Sequence, residues 1–284
     1  MTLNRRIAHV LADMRGLSPL IHCITNYVTA GDTANMLLAA GASPIMADDP
    51  AESAEITALA QGLTLNLGTP SASRVEAMLR SGGEANRRGI PVVFDPVGVG
   101  CSGFRRDSAS ELLGKVRLTA VRGNLSEISY LAGFDSRENG VDSSEELITP
   151  QNAAQTAARK LGCVCAATGA YDVISDGERT AVIRSGTPYL RRITGAGCMT
   201  SALCAAFIAA SDGFIGTAAG IAFMDICGEL AAERSELPGS LRAALFDFAG
   251  SISPQTLADR LDIYECLLHS VSQHGQRAYV QRDR

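Results

Sequence analysis

Thr194-Gly195-Ala196-Gly197-Cys198 is the stretch of this chain best suited to chemistry. Its two glycines stand just before an apolar run, residues 199–210, whose alanine and leucine content predicts a helix. A glycine turn that opens a helix presents free N–H groups, and the partial positive charge of the helix end reinforces them. An anion such as phosphate fits in front of Gly195, Ala196, Gly197 and Cys198. A tight loop ahead of a core helix explains the same glycines, and a short glycine motif alone does not separate the two readings. Cys198 falls in the first turn, where such donors can lower the pKa of a thiol. As a small buried hydrophobe it would need no chemistry.

Other polar residues end short apolar runs: Thr25-Asn26, Asp95, Asn124 with Glu127, and Thr168-Gly169. Asp95 follows five residues that should be buried, so its carboxylate emerges at the end of a strand. Asn124 and Glu127 are three apart and share one face of a helix start. They read as a helix cap or, beside a bound phosphate, as part of a magnesium site with Asp95. Mg²⁺ keeps several waters and accepts phosphate oxygens, so two carboxylates suffice. Arg122 can pair with phosphate oxygens, or sit as an ordinary surface arginine.

The elements that must position these residues alternate. A first amphipathic helix covers the N-terminus. Strands are expected at 20–24, 44–47, 63–67, 90–94, 118–121 and 163–167, with helices at 33–40, 73–87, 125–131 and 151–160. Asp32 is the expected cap of the helix at 33–40 and Gly41 its stop, and Asp48-Asp49-Pro50 is expected to open another helix. Residues 134–149 read as loop. Asp176-Gly177 between two strand-like runs predicts a hairpin. Beyond Gly195 the chain reads as almost wholly helical to about residue 261. Repeated strand–helix units with one late hairpin predict an α/β fold: a three-layer αβα sandwich around a mostly parallel sheet. One domain over residues 1–284 is expected, with a tail loosely ordered from about residue 265. In such a sheet ligands bind beyond the carboxyl ends of the strands, where all the polar residues named above would gather.

Composition narrows the function. The 284 residues are 46% hydrophobic and 19% charged, the profile of a globular protein. A net charge of −5 disfavours nucleic acid as a partner. No apolar run is expected to span a membrane, and the N-terminus reads as a helix, not a signal peptide. The eight cysteines contain no CxxC pair and the four histidines no HxxxH, so neither zinc nor disulfides are expected. Reduced thiols fit a cytoplasmic protein. Cys101, in the glycine loop after Asp95, reads as a tolerated small residue or an oxidisable surface thiol.

HCITNYVTAGDTANMLLAAGASPIMA (22–47), LNLGT (65–69), PVVFDPVGVG (91–100), VRGNLSEI (121–128), ATGAYDVISDG (167–177) and TGAGCMTSA (194–202) recur in one order across most of the chain. Together they resemble the hydroxyethylthiazole kinase family of the ribokinase-like superfamily. The resemblance implies ATP- and Mg²⁺-dependent phosphorylation of the alcohol of 4-methyl-5-(2-hydroxyethyl)thiazole, a salvage step towards thiamine phosphate. It implies a homotrimer with active sites between subunits. It assigns Asn26, Met46 and Gly195 to the thiazole pocket, Arg122 and Thr168 to ATP, and Asp95 and Glu127 to the metal. Gly195 to Cys198 become the anion hole, with Cys198 where most ribokinase-like enzymes carry an aspartate base. The chain departs from the pattern at Gly31, where asparagine is expected in many members. A hydroxymethylpyrimidine kinase is the nearest rival, disfavoured by Cys198 and HCITN. A silent nucleotide-binding protein is disfavoured by the complete TGAGC turn with Asp95 and Glu127. A dinucleotide oxidoreductase is disfavoured by the lack of GxGxxG after the first strand.

Overall fold

The computed structural model describes residues 2–134 and 148–267. In chain order the elements are α1 (Leu3–Leu17), β1 (Leu20–Ile24), α2 (Ala30–Ala40), β2 (Ser43–Ile45), α3 (Ser53–Thr57), β3 (Gly62–Asn66), α4 (Ala72–Arg88), β4 (Val92–Asp95), α5 (Gly103–Lys115), β5 (Ala120–Asn124), α6 (Leu125–Ala132), α7 (Pro150–Leu161), β6 (Val164–Thr168), β7 (Asp172–Ser175), β8 (Arg179–Ile183), α8 (Ala196–Ala209), α9 (Gly213–Arg234), α10 (Pro238–Ser251), α11 (Pro254–Arg260) and β9 (Ile263–Leu267). The strands form one sheet in the order β2-β1-β3-β4-β5-β6-β7-β8-β9. Neighbours from β2 to β6 pair in parallel, and β6 to β9 pair antiparallel.

Alternation along the strands builds two cores. Val93, Val164 and Ala166 face one, with α1, α2 and α8 to α11; Val92, Phe94, Cys165 and Ala167 face the other, with α4 to α7. Local signals set the helix ends. The Ser71 hydroxyl accepts from Arg74 N at the start of α4, and Thr149 caps α7 ahead of Pro150. Gly41 ends α2 in the left-handed region, at φ 105°. Arg15 closes a gap between helix ends: its guanidinium donates to Ala40 O (3.1 Å), Ala249 O (3.0 Å) and Ile252 O (2.6 Å).

The sheet places the site. The chain runs from β1 outward to β2, then returns to the other side of β1 with β3. The strand order therefore reverses between β1 and β3, and a crevice opens at their carboxyl ends. Asn66 pairs in register with Asp95, and Asn124 with Thr168, so these strand-end residues form one row. Helix α8 lies beneath that row, packed on β1, β3 and β4 and against α9. A Cβ on Gly220 of α9 would stand 2.7 Å from Cys204 Cα, so the two helices touch backbone to backbone.

The structure corrects several expectations. Asp32 is not the cap of α2; the helix begins earlier, at Ala30, and Asp32 pairs with Arg242. The helix expected at Asp48-Asp49-Pro50 begins later, as the five-residue α3. Residues 97–117, where the sequence pattern predicts no element, hold α5. The C-terminal end carries β9, and its residues 265–267 pair with β8; the rest of the expected loose tail lies outside the described residues, as does most of the loop expected at 134–149. Helix α9 is, by length and composition, long and apolar enough to cross a membrane, but 94% of that stretch is buried inside the protein. All eight cysteines are free, and Cys101 is exposed. Among the described residues no three potential ligands of the His, Cys, Asp and Glu types group as for a metal.

Candidate active site

Helix α8 begins at Gly195, whose φ of 86° lies in the region that favours glycine. Met199 N is the amide that bonds back to Gly195 O, at 2.9 Å, so the first-turn amides before it have no acceptor within the helix. A Cβ on Gly197 would stand 2.6 Å from Arg122 Nη1. The missing side chain thus lets the guanidinium lie against the first turn of α8. Helix amides and a fixed cation converge on one place, which is what an anion site requires.

On one side of this point, β1, β3 and β4 supply a closed network. Asn26 Nδ2 donates to Asn66 Oδ1 (3.1 Å) and to Cys198 Sγ (3.2 Å). Asn66 Nδ2 donates to Asp95 Oδ2 (2.8 Å) and to Cys198 Sγ (3.3 Å). The Ser201 hydroxyl, one turn along α8, donates to Asp95 Oδ2 at 2.8 Å. Thr29 N and its hydroxyl both donate to Asn26 Oδ1, fixing which way that amide faces. Asp95 is 1% exposed. Burial pushes its carboxyl up to about 6, Glu127 adds to the rise, and Arg122, Ser201 and Asn66 oppose it.

Of the two readings of Cys198, the structure favours the buried, protonated thiol. Burial and the nearby Asp95 charge raise its pKa above the ordinary thiol value, against the pull of hydrogen bonds from Thr29, Asn66 and Asn26. At neutral pH the group is a thiol. The helix start does not override desolvation here, because a carboxylate already occupies the ground beside it.

Glu127 is where the cap reading holds. Its Oε2 accepts from Asn124 N (2.8 Å), while Asn124 Oδ1 accepts from Glu127 N (3.0 Å), a full capping box for α6. Its Oε1 accepts from Gly98 N at 2.9 Å and so holds the loop after Asp95. Both donors to Asp95 act on Oδ2, and both Glu127 oxygens hold backbone amides. This donor set suits a hydrated magnesium ion that is also held by phosphate, and not one caged by the protein.

On the other side, Arg122 Nη2 donates to the Thr168 hydroxyl, which donates to Gly123 O at 3.3 Å. Arg122 Nε is buried with no partner. A cavity of 620 Å³ opens here, lined by Arg122, Thr168, Gly195, Ala196 and Gly197, by Asp172 and Asp225, and by apolar Leu190, Ile221 and Met224. Its size and its mix of apolar wall and few polar groups suit a nucleotide.

Met46 stands apart from both groups, 37% exposed at the outer edge beyond β2. Its neighbour is tied to β1 and α3: Ala47 O bonds to His22 Nε2 (2.7 Å), and His22 Nδ1 to the Thr57 hydroxyl (2.8 Å). A carbonyl partner makes Nε2 the protonated nitrogen, and burial lowers the pKa of the ring. At Gly31, in the first turn of α2, a Cβ would meet nothing within 4 Å, so this departure leaves open space. Asn66, Ser201, Thr29 and His22 were not singled out from the sequence as site residues. Asn66 had a signal, a polar amide ending an apolar strand; Ser201 had none beyond lying one turn after Gly197.

Comparison with known proteins bears on the family and the fold. The model of the hydroxyethylthiazole kinase family matches residues 11–255. A protein named hydroxyethylthiazole kinase from Ruminiclostridium cellulolyticum is 44% identical over 268 residues, 92% of this chain and 98% of that one. A solved structure of a hydroxyethylthiazole kinase protein from Pyrococcus horikoshii is 36% identical and superposes with a TM-score of 0.84 over 91% of this chain and 98% of its own. A ribokinase-like superfamily protein from Enterococcus faecalis, 12% identical, shares the fold with a TM-score of 0.60 over 83% of this chain and 88% of its own. The chain belongs to the hydroxyethylthiazole kinase family.

Proposed function

We propose that this chain transfers the γ-phosphoryl group of ATP to the primary hydroxyl of 4-methyl-5-(2-hydroxyethyl)thiazole, a step of thiamine salvage. The observation that carries the reading is the start of α8. Amides with no acceptor inside the helix, of which Ala196 N reaches Ile193 O at 3.4 Å, and Arg122 meet there between a strand-end network on one side and a nucleotide-sized cavity on the other. The alcohol oxygen forms a bond to the γ-phosphorus as the bond to the bridging oxygen breaks, and ADP leaves. Charge on the moving phosphoryl group is met by the amides of Gly195, Ala196, Gly197 and Cys198 and by Arg122. Thr168 fixes the Arg122 fork, and both contact ATP. Asn26, Met46 and Gly195 line the alcohol pocket.

Asp95 and Glu127 are the residues that would hold Mg²⁺, through its waters; the ion when bound neutralises phosphate charge. The transition state of such a transfer is loose, so the alcohol keeps its proton until late. The Cys198 thiol, protonated at neutral pH, orients the hydroxyl through the Asn26–Asn66 network and is a poor base. A homotrimer with shared sites accords with exposed Tyr27, Val28 and Met46, which follow the carboxyl ends of β1 and β2 at the sheet edge, where a second copy would cover them. Eight free thiols accord with a cytoplasmic setting.

A coupled ADP-release assay with Mg²⁺ against a panel of thiazole and pyrimidine alcohols tests the reading. Turnover with the hydroxyethylthiazole is the expected result, and turnover only with the pyrimidine alcohol overturns it. Light scattering at assay concentration tests the assembly; an active monomer would remove the trimer.

A further inference from the structure

Asp172 opens β7 and Asp225 lies in the middle of α9, and both line the 620 Å³ cavity that the reading above gives to the nucleotide. They are 5% and 8% exposed. Their side chains are within hydrogen-bonding reach of each other. Two ionised carboxylates have no proton to place in that bond, and Asp225 Oδ2 is buried without a donor. Asp172 Oδ1 is already satisfied by Gly169 N at 2.8 Å. The arrangement closes if one proton lies between the pair, since adjacent buried carboxylates cannot both ionise at low cost.

The surroundings favour keeping that proton. Glu229, one turn along α9, adds negative charge and accepts from Gly186 N at 2.7 Å. Arg122 on β5 is the cation whose charge opposes the rise at both acids, and Arg191 lines the same cavity. Cys204 on α8 and Cys227 on α9 lie behind the pair, and burial keeps both thiols protonated. Burial and mutual repulsion push Asp225 well above the ordinary carboxylate range, and burial raises Asp172 as well.

An acid pair is the wrong charge for a cavity that takes polyphosphate. A phosphate on Arg122 also takes up the charge that otherwise offsets the pair. We propose that Asp172 and Asp225 act as a single-proton carboxyl pair that couples nucleotide binding to proton uptake, so that nucleotide affinity falls as the pair loses its proton. Binding and protonation favour each other by the same factor, as linkage requires. The inference rests on the nucleotide reading of the cavity, and the test separates the two.

Calorimetric titration of the whole chain with ADP, without added metal, in buffers of different ionisation heats counts the protons taken up. Between about pH 6 and 9.5 wild type is expected to take up more protons on binding ADP than the Asn variants of the pair, the titration of phosphate itself being common to all of them. Where it does so its ADP affinity falls more steeply with pH, by up to about tenfold per pH unit. Asp225→Asn places an amide donor where the shared proton lies and is expected to bind ADP without this extra uptake. Asp172→Asn, which keeps an oxygen for Gly169 N, gives the same comparison if the first variant does not fold. No uptake by wild type across the range, or equal uptake in a folded Asn variant, overturns the proton pair. Failure of ADP to bind any of them overturns the nucleotide reading instead.

Discussion

The two walls of the site are built on opposite plans. At the ends of β1, β3 and β4, Asn26, Asn66, Asp95, Ser201 and Cys198 are joined by hydrogen bonds between 2.8 and 3.3 Å. At the ends of β5 and β6, the wall of the cavity leaves Arg122 Nε without a partner. A closed network holds its groups in one geometry and has little capacity left for a ligand. An open wall leaves donors and acceptors whose needs a ligand can meet. The difference accords with the proposed function, in which the first wall places a small neutral alcohol and the second captures a charged, exchanging nucleotide.

The largest effect is expected where the walls meet. Gly197→Val drives a side chain into Arg122 Nη1 and displaces it from the first turn of α8. Losing one donor to a developing oxyanion typically costs about 10²–10³ in rate, so this variant, which disturbs donors and cation together, is expected to lose at least that much in single-turnover assays.

Asp95→Asn breaks the first wall electrically while keeping its shape. Asp95 holds its proton up to about pH 6 in the folded chain, against an ordinary value of 3.8. Between those values the folded state binds more protons than the unfolded one, so stability falls as pH rises through that window. The loss is about 3 kcal/mol, and it persists above the window. Asp95→Asn is expected to lower turnover by about 10²-fold and weaken Mg²⁺ dependence, while its thermal midpoint at pH 7 rises above wild type and the two converge towards pH 4. A lower midpoint at pH 7 would mean that the carboxylate is stabilising as built. Glu127→Gln should also weaken Mg²⁺ dependence; unchanged activity of both variants at limiting Mg²⁺ would leave the pair purely structural.

A smaller effect tests whether the segment carrying Met46 serves the first wall. His22→Leu leaves Ala47 O and the Thr57 hydroxyl without the ring. Loss of such a buried partner costs about 1–3 kcal/mol. KM for the alcohol is expected to rise about tenfold, with KM for ATP unchanged. Equal rises in both would mean that the histidine supports the whole sheet edge and not one wall.

Much of the fold was legible because it is local. Leu20–Ile24 is a strand by composition and is stopped by Thr25-Asn26, the Asp176-Gly177 turn names its own hairpin, and TGAGC announces a helix start. β9 was not legible, because it exists through pairing with β8, some eighty residues earlier. Helix α5 was hidden by Gly98 and Gly100 ahead of it, by Gly103 at its first position and by the lack of a clear apolar stripe. In the site, the strand-end polar residues could be read from position. The acid pair could not, since Asp172 and Asp225 lie 53 positions apart in elements that meet only on folding. The pKa direction of Cys198 stays open in the sequence, because the helix start is visible there while the burial of the thiol and the neighbouring Asp95 charge are not.

The central claim is that placement of the phosphoryl group by the glycine turn and Arg122 outweighs proton removal by the thiol. Single-turnover rates of Cys198→Ala and Gly197→Val, with saturating ATP, thiazole alcohol and Mg²⁺, test it directly. A full general base contributes about 10²–10⁴; a thiol raised above its ordinary pKa should contribute about tenfold at most. The account predicts a folded Cys198→Ala within about tenfold of wild type, Cys198→Asp with substantial activity, and Gly197→Val slower than Cys198→Ala by about 10²-fold. A folded Cys198→Ala as slow as Gly197→Val would contradict it.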